Sequence, residues 1–392
     1  VRTRRAPTRR LDAALDRPMT SVAAVTLDAV ADDRLLLLRP VWEEARPSPW
    51  SAEVEVMLCD LCDIDGEPAA ICTRAALGRA VEGLRGRGLE PRLAAEFEFS
   101  LYEPENGSPA YESTDGYGVA AAARFAALLD EIQDFCQLGI AVESCHVEYG
   151  AGQFEVNLGH RPALEAIDHA VLLRASVGEV ARRHGLRATF MGKPWTEHAG
   201  NGMHLHQSLW EGSRNLFHRD GDLSELGRHY LAGLLGGIEE LSALGSPTPN
   251  SYRRRQTAQF TPVNASWGFD NRTAAVRVLA ESEAGTRLEQ RDAAADCNPY
   301  LAAAGQLTAG AAGLDAGVEP PPPVSTRADR ADLPGLPRSL EAAAAGLRTS
   351  TLAERALGPE LAAALTALVE WELGRERGSV GAWERDLYMD RF

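Results

Sequence analysis

Polar and apolar positions alternate over three short stretches of this chain. In each, a pair of charged or imidazole residues falls two apart, which sends both side chains of a strand to one face. The pairs are Glu96 and Glu98 in AAEFEFSLY, His204 and His206 in NGMHLHQSLW, and Glu289 and Arg291 in RLEQR. Apolar residues around them suit the opposite face, so the three pairs predict one polar wall shared by several strands.

Helical spacing fills much of the rest. Thr73 caps a predicted helix through Leu77, Val81 and Leu84 that stops at Gly86 or Gly88. Phe125, Leu128, Leu129, Ile132 and Phe135 mark a second helix ending near Gly139. The run AVESCHVEYGAGQFEVNL reads as strand, Gly-rich turn and strand, and carries Glu148 and Glu155. Residues 162–184 follow as an amphipathic helix with Ile167, Val171 and Val180 inward, leading into an ATFMGKP strand. Residues 222–242 read as one helix, and 246–280 as a long irregular stretch holding Asn250, Tyr252, Arg254, Arg272 and Arg277. Long ordered loops in compact domains are usually functional. Asn298 and Pro299 open an Ala/Leu helix that the Pro320–Pro323 run ends. Further helices finish the chain, one with Leu361, Leu365 and Leu368 inward. Before all of these, residues 20–64 mix short apolar runs with turn residues and predict a small sheet-bearing domain.

Composition narrows the function. With 392 residues and 45% hydrophobic content the chain buries a large core. A net charge of −16 argues against nucleic acid and against an anionic membrane surface as partners. No apolar run reaches the roughly 18 residues of a bilayer span, and the first residues do not resemble a secretory signal, so a cytoplasmic location is expected. Five arginines stand in the opening VRTRRAPTRR. The six cysteines are scattered, and Cys59 and Cys62 lack a second pair at zinc-ligand spacing, so core or strand thiols are expected. Carboxylates and imidazoles converging from several strands suit a divalent metal, and the arginines among them suit phosphate. No G-x-x-x-x-G-K-[ST] is present, so a nucleotide is not held by a P-loop. A lone histidine or a single Glu-x-Glu is more often structural, but half-buried carboxylates persist only when paired or metal-bound.

Taken in order, AEFEF, ESCHVEYGAGQFEVN, ATFMGKP with GNGMHLHQSL, PNSYRRR, FDNRTAAVRV, and RLEQR with DCNPYLAAAGQLTAG resemble glutamine synthetase from about Pro49 onward. The resemblance is strongest to the bacterial class I branch that includes gamma-glutamyl-polyamine synthetases and other glutamate–amine ligases. It implies an α+β fold: a reduced beta-grasp domain over residues 1–61, then a catalytic domain over 62–392 with a curved antiparallel sheet. It implies ATP as cosubstrate and two Mg2+ or Mn2+ ions, one held by Glu98, Glu148 and Glu155, the other by Glu96, His204 and Glu289. Arg254 would grip the substrate's alpha-carboxylate beside Gly200, and Arg291 would reach the gamma-carboxylate. Arg272 and Arg277 would bind phosphate, while His206 and Ser208 fall near the nucleotide. The implied reaction phosphorylates glutamate and lets an amine attack the acyl phosphate, in a ring-shaped homo-oligomer, commonly a dodecamer.

Three departures stand out. Phe260 occupies the position of the family's flap glutamate, and Ala199 that of an asparagine that contacts glutamate. The segment RRAPTRRLDAAL resembles the stretch just after the family's first strand, with that strand absent, and the regulatory tyrosine near the C-terminal loop is missing. An organic amine is therefore the expected nucleophile. Glutamine synthetase proper, using ammonia, and a non-catalytic relative stay open as alternatives.

Overall fold

The computed structural model describes residues 19–20, 36–41, 45–48, 51–112, 116–256, 260–280 and 282–389. The arginine-rich opening, and with it the question of a missing first strand, lies outside the described residues.

A ten-stranded sheet organises the molecule. Its main path runs Trp267–Phe269, Val276–Leu279, Arg287–Gln290, Met203–Glu211, Glu90–Tyr102, Gln153–Leu158 and Val142–Val147, with three short strands off it. Neighbours pair antiparallel except Trp267–Phe269, which runs parallel to Val276–Leu279. The expected antiparallel sheet is thus a mixed one.

One face of this sheet is apolar. Phe97, Phe99, Phe154, Val156, Met203, Leu205 and Leu288 are all buried, and the Phe99 and Phe154 rings stack at 5.7 Å. The helix Ala163–Arg183 packs against that face, with Ile167, Leu173 and Val180 among its buried residues. The helix Pro299–Ala316 is buried along nearly its whole length. Asn298 caps it by accepting from the Tyr300 amide, with Pro299 in the first turn, as expected. It crosses Glu225–Gly237 at Gly233 and Gly313, where an added Cβ on Gly233 would sit 2.2 Å from the Ala309 carbonyl oxygen. Only glycines allow backbones that close.

Several element boundaries differ from the sequence reading. The 222–242 helix is Glu225–Gly237, capped by Ser224, with a separate short helix Ser242–Gly245. The irregular 246–280 stretch contains a 3-10 turn Ser251–Gln256 and two of the sheet's strands. Gly317, in a left-handed conformation at φ 60°, ends the long helix before the proline run is reached. Of ATFMGKP only Ala188 and Thr189 are strand, as the end of Arg187–Thr189. In Pro359–Gly378 the inward positions are Leu361, Leu365, Val369 and Leu373, so Val369 replaces Leu368 in the apolar stripe.

At the N-terminal side, Met19–Thr20, Leu37–Pro40 and Cys59–Cys62 form a small antiparallel sheet, and Arg46–Ser48 pairs with Ser51–Val56. The guanidinium of Arg74 clamps this sheet to the rest, donating to Asp60 at 3.0 Å and to Asp168 at 2.8 Å. Asp168 is itself fully buried and accepts from the Tyr300 hydroxyl. Cys62 and Cys72 are buried free thiols, as a core role predicts.

Candidate active site

The register of the sheet assembles the polar wall. Across neighbouring strands, His204 stands opposite Glu96, His206 opposite Glu289, and Arg277 opposite Glu289. On the other side of Glu90–Tyr102, Glu98 stands opposite Glu155, which stands opposite His146. Since apolar residues alternate with these, one face of the sheet is core and the other is ionisable.

Two clusters form on that face. In the first, His204 Nδ1 lies 2.6 Å from Glu96 Oε1 and 3.6 Å from Glu289 Oε1, while His206 Nε2 lies 3.3 Å from Glu96 Oε2. Glu289, fully buried, also accepts from Arg277 Nη1 at 3.0 Å and from Arg291 Nη1. In the second, Glu148 Oε2 accepts from the Tyr117 hydroxyl at 2.7 Å and from the Tyr149 amide at 2.8 Å. Its Oε1 is 3.3 Å from His146 Nε2, which is 3.5 Å from Glu155 Oε1. The groups whose donor atoms converge are Glu96, His206 and Glu289, and His146, Glu148 and Glu155. Glu98 instead accepts from the Gly202 amide, and His204 is engaged with Glu96.

Charge crowding marks the wall. Burial, with Glu96, Glu98 and Glu148 nearby, pushes the Glu155 carboxyl up to about 10. Burial also raises Glu98 against the pull of His204 and Arg254. Burial opposes ionisation of Glu96 too, but His204 and His206 outweigh it and hold that carboxyl well below the usual range. For Glu148, His146, Tyr117 and the Tyr149 amide likewise overcome burial and lower it. A donor set of carboxylates and imidazoles in which burial and then mutual repulsion raise Glu155 fits divalent cations, which relieve that repulsion and require deprotonated ligands.

Arginines surround the wall. Arg254 is buried and donates from Nη1 to the Ala293 carbonyl at 2.8 Å. Its stem runs between Gly192 and Gly200: an added Cβ on Gly200 would meet the Gly192 carbonyl oxygen at 2.3 Å and Arg254 Cγ at 2.6 Å. Backbone cannot swing aside, so Gly200→Ala is expected to cost about 1–3 kcal/mol of stability through overpacking. A thermal unfolding midpoint equal to that of the wild type would refute that packing account. Arg291 is buried with its Nε unpartnered among the described residues. Arg277 bridges Glu289 and Asp270, and Arg272 is exposed. Ser208 accepts from Trp210 Nε1, and Arg287 Nε reaches His206 Nδ1 at 3.1 Å. Phe260 is 56% exposed at φ 56°, a left-handed conformation uncommon for an aromatic residue. Ala199 lies in the loop before Gly200, within van der Waals reach of a Cβ on Gly150.

The sequence reading passed over three residues of the site. His146 carried the same two-residue signal relative to Glu148 that singled out the other pairs. Tyr117 carried none, because its reach to Glu148 depends on a loop turned by its own φ of 56°. Gln153 ties the Gly150 turn to the central motif, accepting from the Gly150 amide and donating to the Gly200 carbonyl, both at 3.0 Å.

Comparison with known proteins accords with this geometry. Residues 70–388 match the family described as glutamine synthetase, catalytic domain. The chain is 32% identical over 361 residues to a glutamate–isopropylamine ligase of a Pseudomonas species, covering 87% of this chain and 78% of that one. It is 34% identical over 358 residues to the gamma-glutamylethanolamide synthetase of Streptomyces coelicolor, covering 88% and 77%. A solved structure described as a GmaS/ADP complex superimposes with a TM-score of 0.89 at 29% identity, covering 98% of this chain and 92% of that one. The matched length, the ordered motifs and the shared fold give one result: this chain belongs to the glutamine synthetase family.

Proposed function

We propose that the protein is a cytoplasmic ATP-dependent ligase that joins glutamate, or a close analogue, to an organic amine through a gamma-glutamyl phosphate. The observation that carries this reading is the juxtaposition of two acid–imidazole clusters on one sheet face with Arg277 and Arg291, and with Arg254 reaching the same wall from the turn beside it. A carboxylate and a triphosphate repel each other, and a reaction between them needs fixed positive charge. The relatives named for isopropylamine and ethanolamide support the amine.

In this reading Glu98, Glu148 and Glu155 hold one Mg2+ or Mn2+, and Glu96, His204 and Glu289 the other. Bound ions supply charge neutralisation and orientation for phosphoryl transfer. Buried Arg254, beside Gly200, binds the alpha-carboxylate, and Arg291 the gamma-carboxylate. Arg272 and Arg277 bind phosphate oxygens, with His206 and Ser208 toward the nucleotide. A carboxylate oxygen of glutamate takes the terminal phosphoryl group of ATP and releases ADP. The neutral amine then attacks the acyl carbon, phosphate leaves, and the nitrogen sheds a proton. Phe260 presents apolar surface in place of a carboxylate and favours an amine with an alkyl or aryl part. The family's ring-type homo-oligomer is part of the same reading, and exposed Val380, Trp383 and Met389 offer apolar surface for a second copy.

The direct test is trapping. With Mg-ATP and glutamate, hydroxylamine is expected to yield gamma-glutamyl hydroxamate together with ADP, because it is small and largely neutral near pH 7. ATP cleavage without hydroxamate from glutamate or close analogues would defeat the acyl phosphate.

A further inference from the structure

Among the donor atoms of the second cluster, one belongs to a residue outside the family-derived ligand set. We propose that His146 gives a nitrogen donor to the divalent ion held by Glu148 and Glu155, and that this nitrogen biases the site toward a transition ion such as Mn2+ over Mg2+. The proposal rests on the two-ion reading above and adds a ligand to it.

Backbone geometry aims the ring. His146 lies on Val142–Val147, two residues before Glu148 and directly opposite Glu155 in the strand register, so its imidazole stands on the ionisable face. Distances match shared coordination. Two donors at right angles around an ion with bonds of about 2.1 Å lie roughly 3 Å apart. His146 Nε2 is 3.3 Å from Glu148 Oε1 and 3.5 Å from Glu155 Oε1.

The supporting bonds point the same way. Tyr117 and the Tyr149 amide both occupy Glu148 Oε2, which leaves Oε1 turned toward the histidine. Asn157 Nδ2 donates to Glu155 Oε1 at 2.9 Å and fixes that carboxylate in turn. Such outer hydrogen bonds orient metal ligands rather than replace the metal. Glu98, the family-derived third ligand, is held by the Gly202 amide. The His146 side chain is 40% exposed, so an ion arriving from solvent reaches it without opening the fold. Imidazole nitrogen suits transition ions, whereas an all-oxygen set suits Mg2+, and His146 changes that balance at this one site.

Mn2+ alone is the probe, titrated into the full chain and read by pulsed EPR for directly coupled 14N, with competition by Mg2+. The other cluster contributes its own imidazole, so wild type is compared with His146→Gln and His146→Glu at equal Mn2+ occupancy. Both variants are expected to lose the share of 14N coupling that the second cluster supplies. In His146→Gln the Mn2+ site of the second cluster should lose affinity by about tenfold to a hundredfold, the scale on which metal-site groups act. In His146→Glu ion binding should persist, with the preference moved toward Mg2+. Unchanged 14N coupling in either variant with both ions bound would overturn the proposal and leave the two-ion reading standing. Absence of any Mn2+ binding to the wild type would overturn both.

Discussion

Glu289→Gln is expected to cut glutamate-dependent ADP release by about a thousandfold, equivalent to roughly 4 kcal/mol at the transition state. Burial and charge meet at this residue. Glu289 is fully buried, yet it contacts His204, Arg277 and Arg291 at once. Burial works to raise its carboxyl, but Arg291 above all, with His206 and His204, holds it below the usual range. Glutamine keeps the volume but removes the charge, so it separates chemistry from packing. Glu289→Ala removes both, and is expected to lose stability as well, because it leaves buried cations without their counter-charge. Steady-state ATP turnover with Mg2+ and with Mn2+ decides the matter, alongside circular dichroism to establish folding. Turnover of Glu289→Gln within tenfold of wild type would remove this residue from the phosphoryl-transfer machinery.

The second large effect concerns the nucleophile. Phe260→Glu is expected to move the ratio of kcat/KM for ammonia to that for a short alkylamine by about a hundredfold toward ammonia, or ~2.7 kcal/mol. A carboxylate attracts an ammonium cation and accepts its proton, whereas phenylalanine does neither. Its contribution is apolar area, worth roughly 25 cal/mol for each Å² taken out of water. An alkylammonium group titrates near 10, so the amine must shed a proton before it attacks. Phe260 already holds a left-handed backbone, and glutamate suffers there no more than phenylalanine does. Ammonia as the best substrate of the wild type would sink the specificity argument, as would a variant whose ratio does not move.

How much of this was readable in advance depended on range. The three two-residue pairs announced a common face because strand alternation is local and fixed, and the register then set them side by side. Periodicity likewise located the helix over 163–183 to within a residue, and Asn298 with Pro299 marked the start of the one over 299–316, whose end at Gly317 falls short of the expected proline run. It failed over 222–242, where apolar spacing continues through a break in the backbone. Trp267–Phe269 and Val276–Leu279 were missed because strands that short owe their existence to neighbours distant in sequence. Tyr117 was hidden for another reason, the left-handed turn of its own loop that aims it at Glu148. The family resemblance supplied ligand roles that no spacing rule reaches, and it said nothing of His146. Around Phe260, residues 257–259 lie outside the described residues, so the flap that the resemblance implies is represented here by Phe260 itself.

Arg277 divides its guanidinium between two carboxylates of opposite standing. Glu289 is 1% exposed and fixed in the sheet, while Asp270 is 75% exposed at the end of a short turn. An anion arriving at Arg277 therefore exchanges with Asp270 rather than meeting a bare cation, and what it gains is the difference between two pairings. That difference also governs departure. A tethered competitor refills the arginine as an anion leaves, which lowers the barrier to escape without weakening the fixed pair behind it. In the proposed phosphate-binding role of Arg277, Asp270→Asn is therefore expected to lengthen the stay of a bound phosphate while leaving the buried wall unchanged.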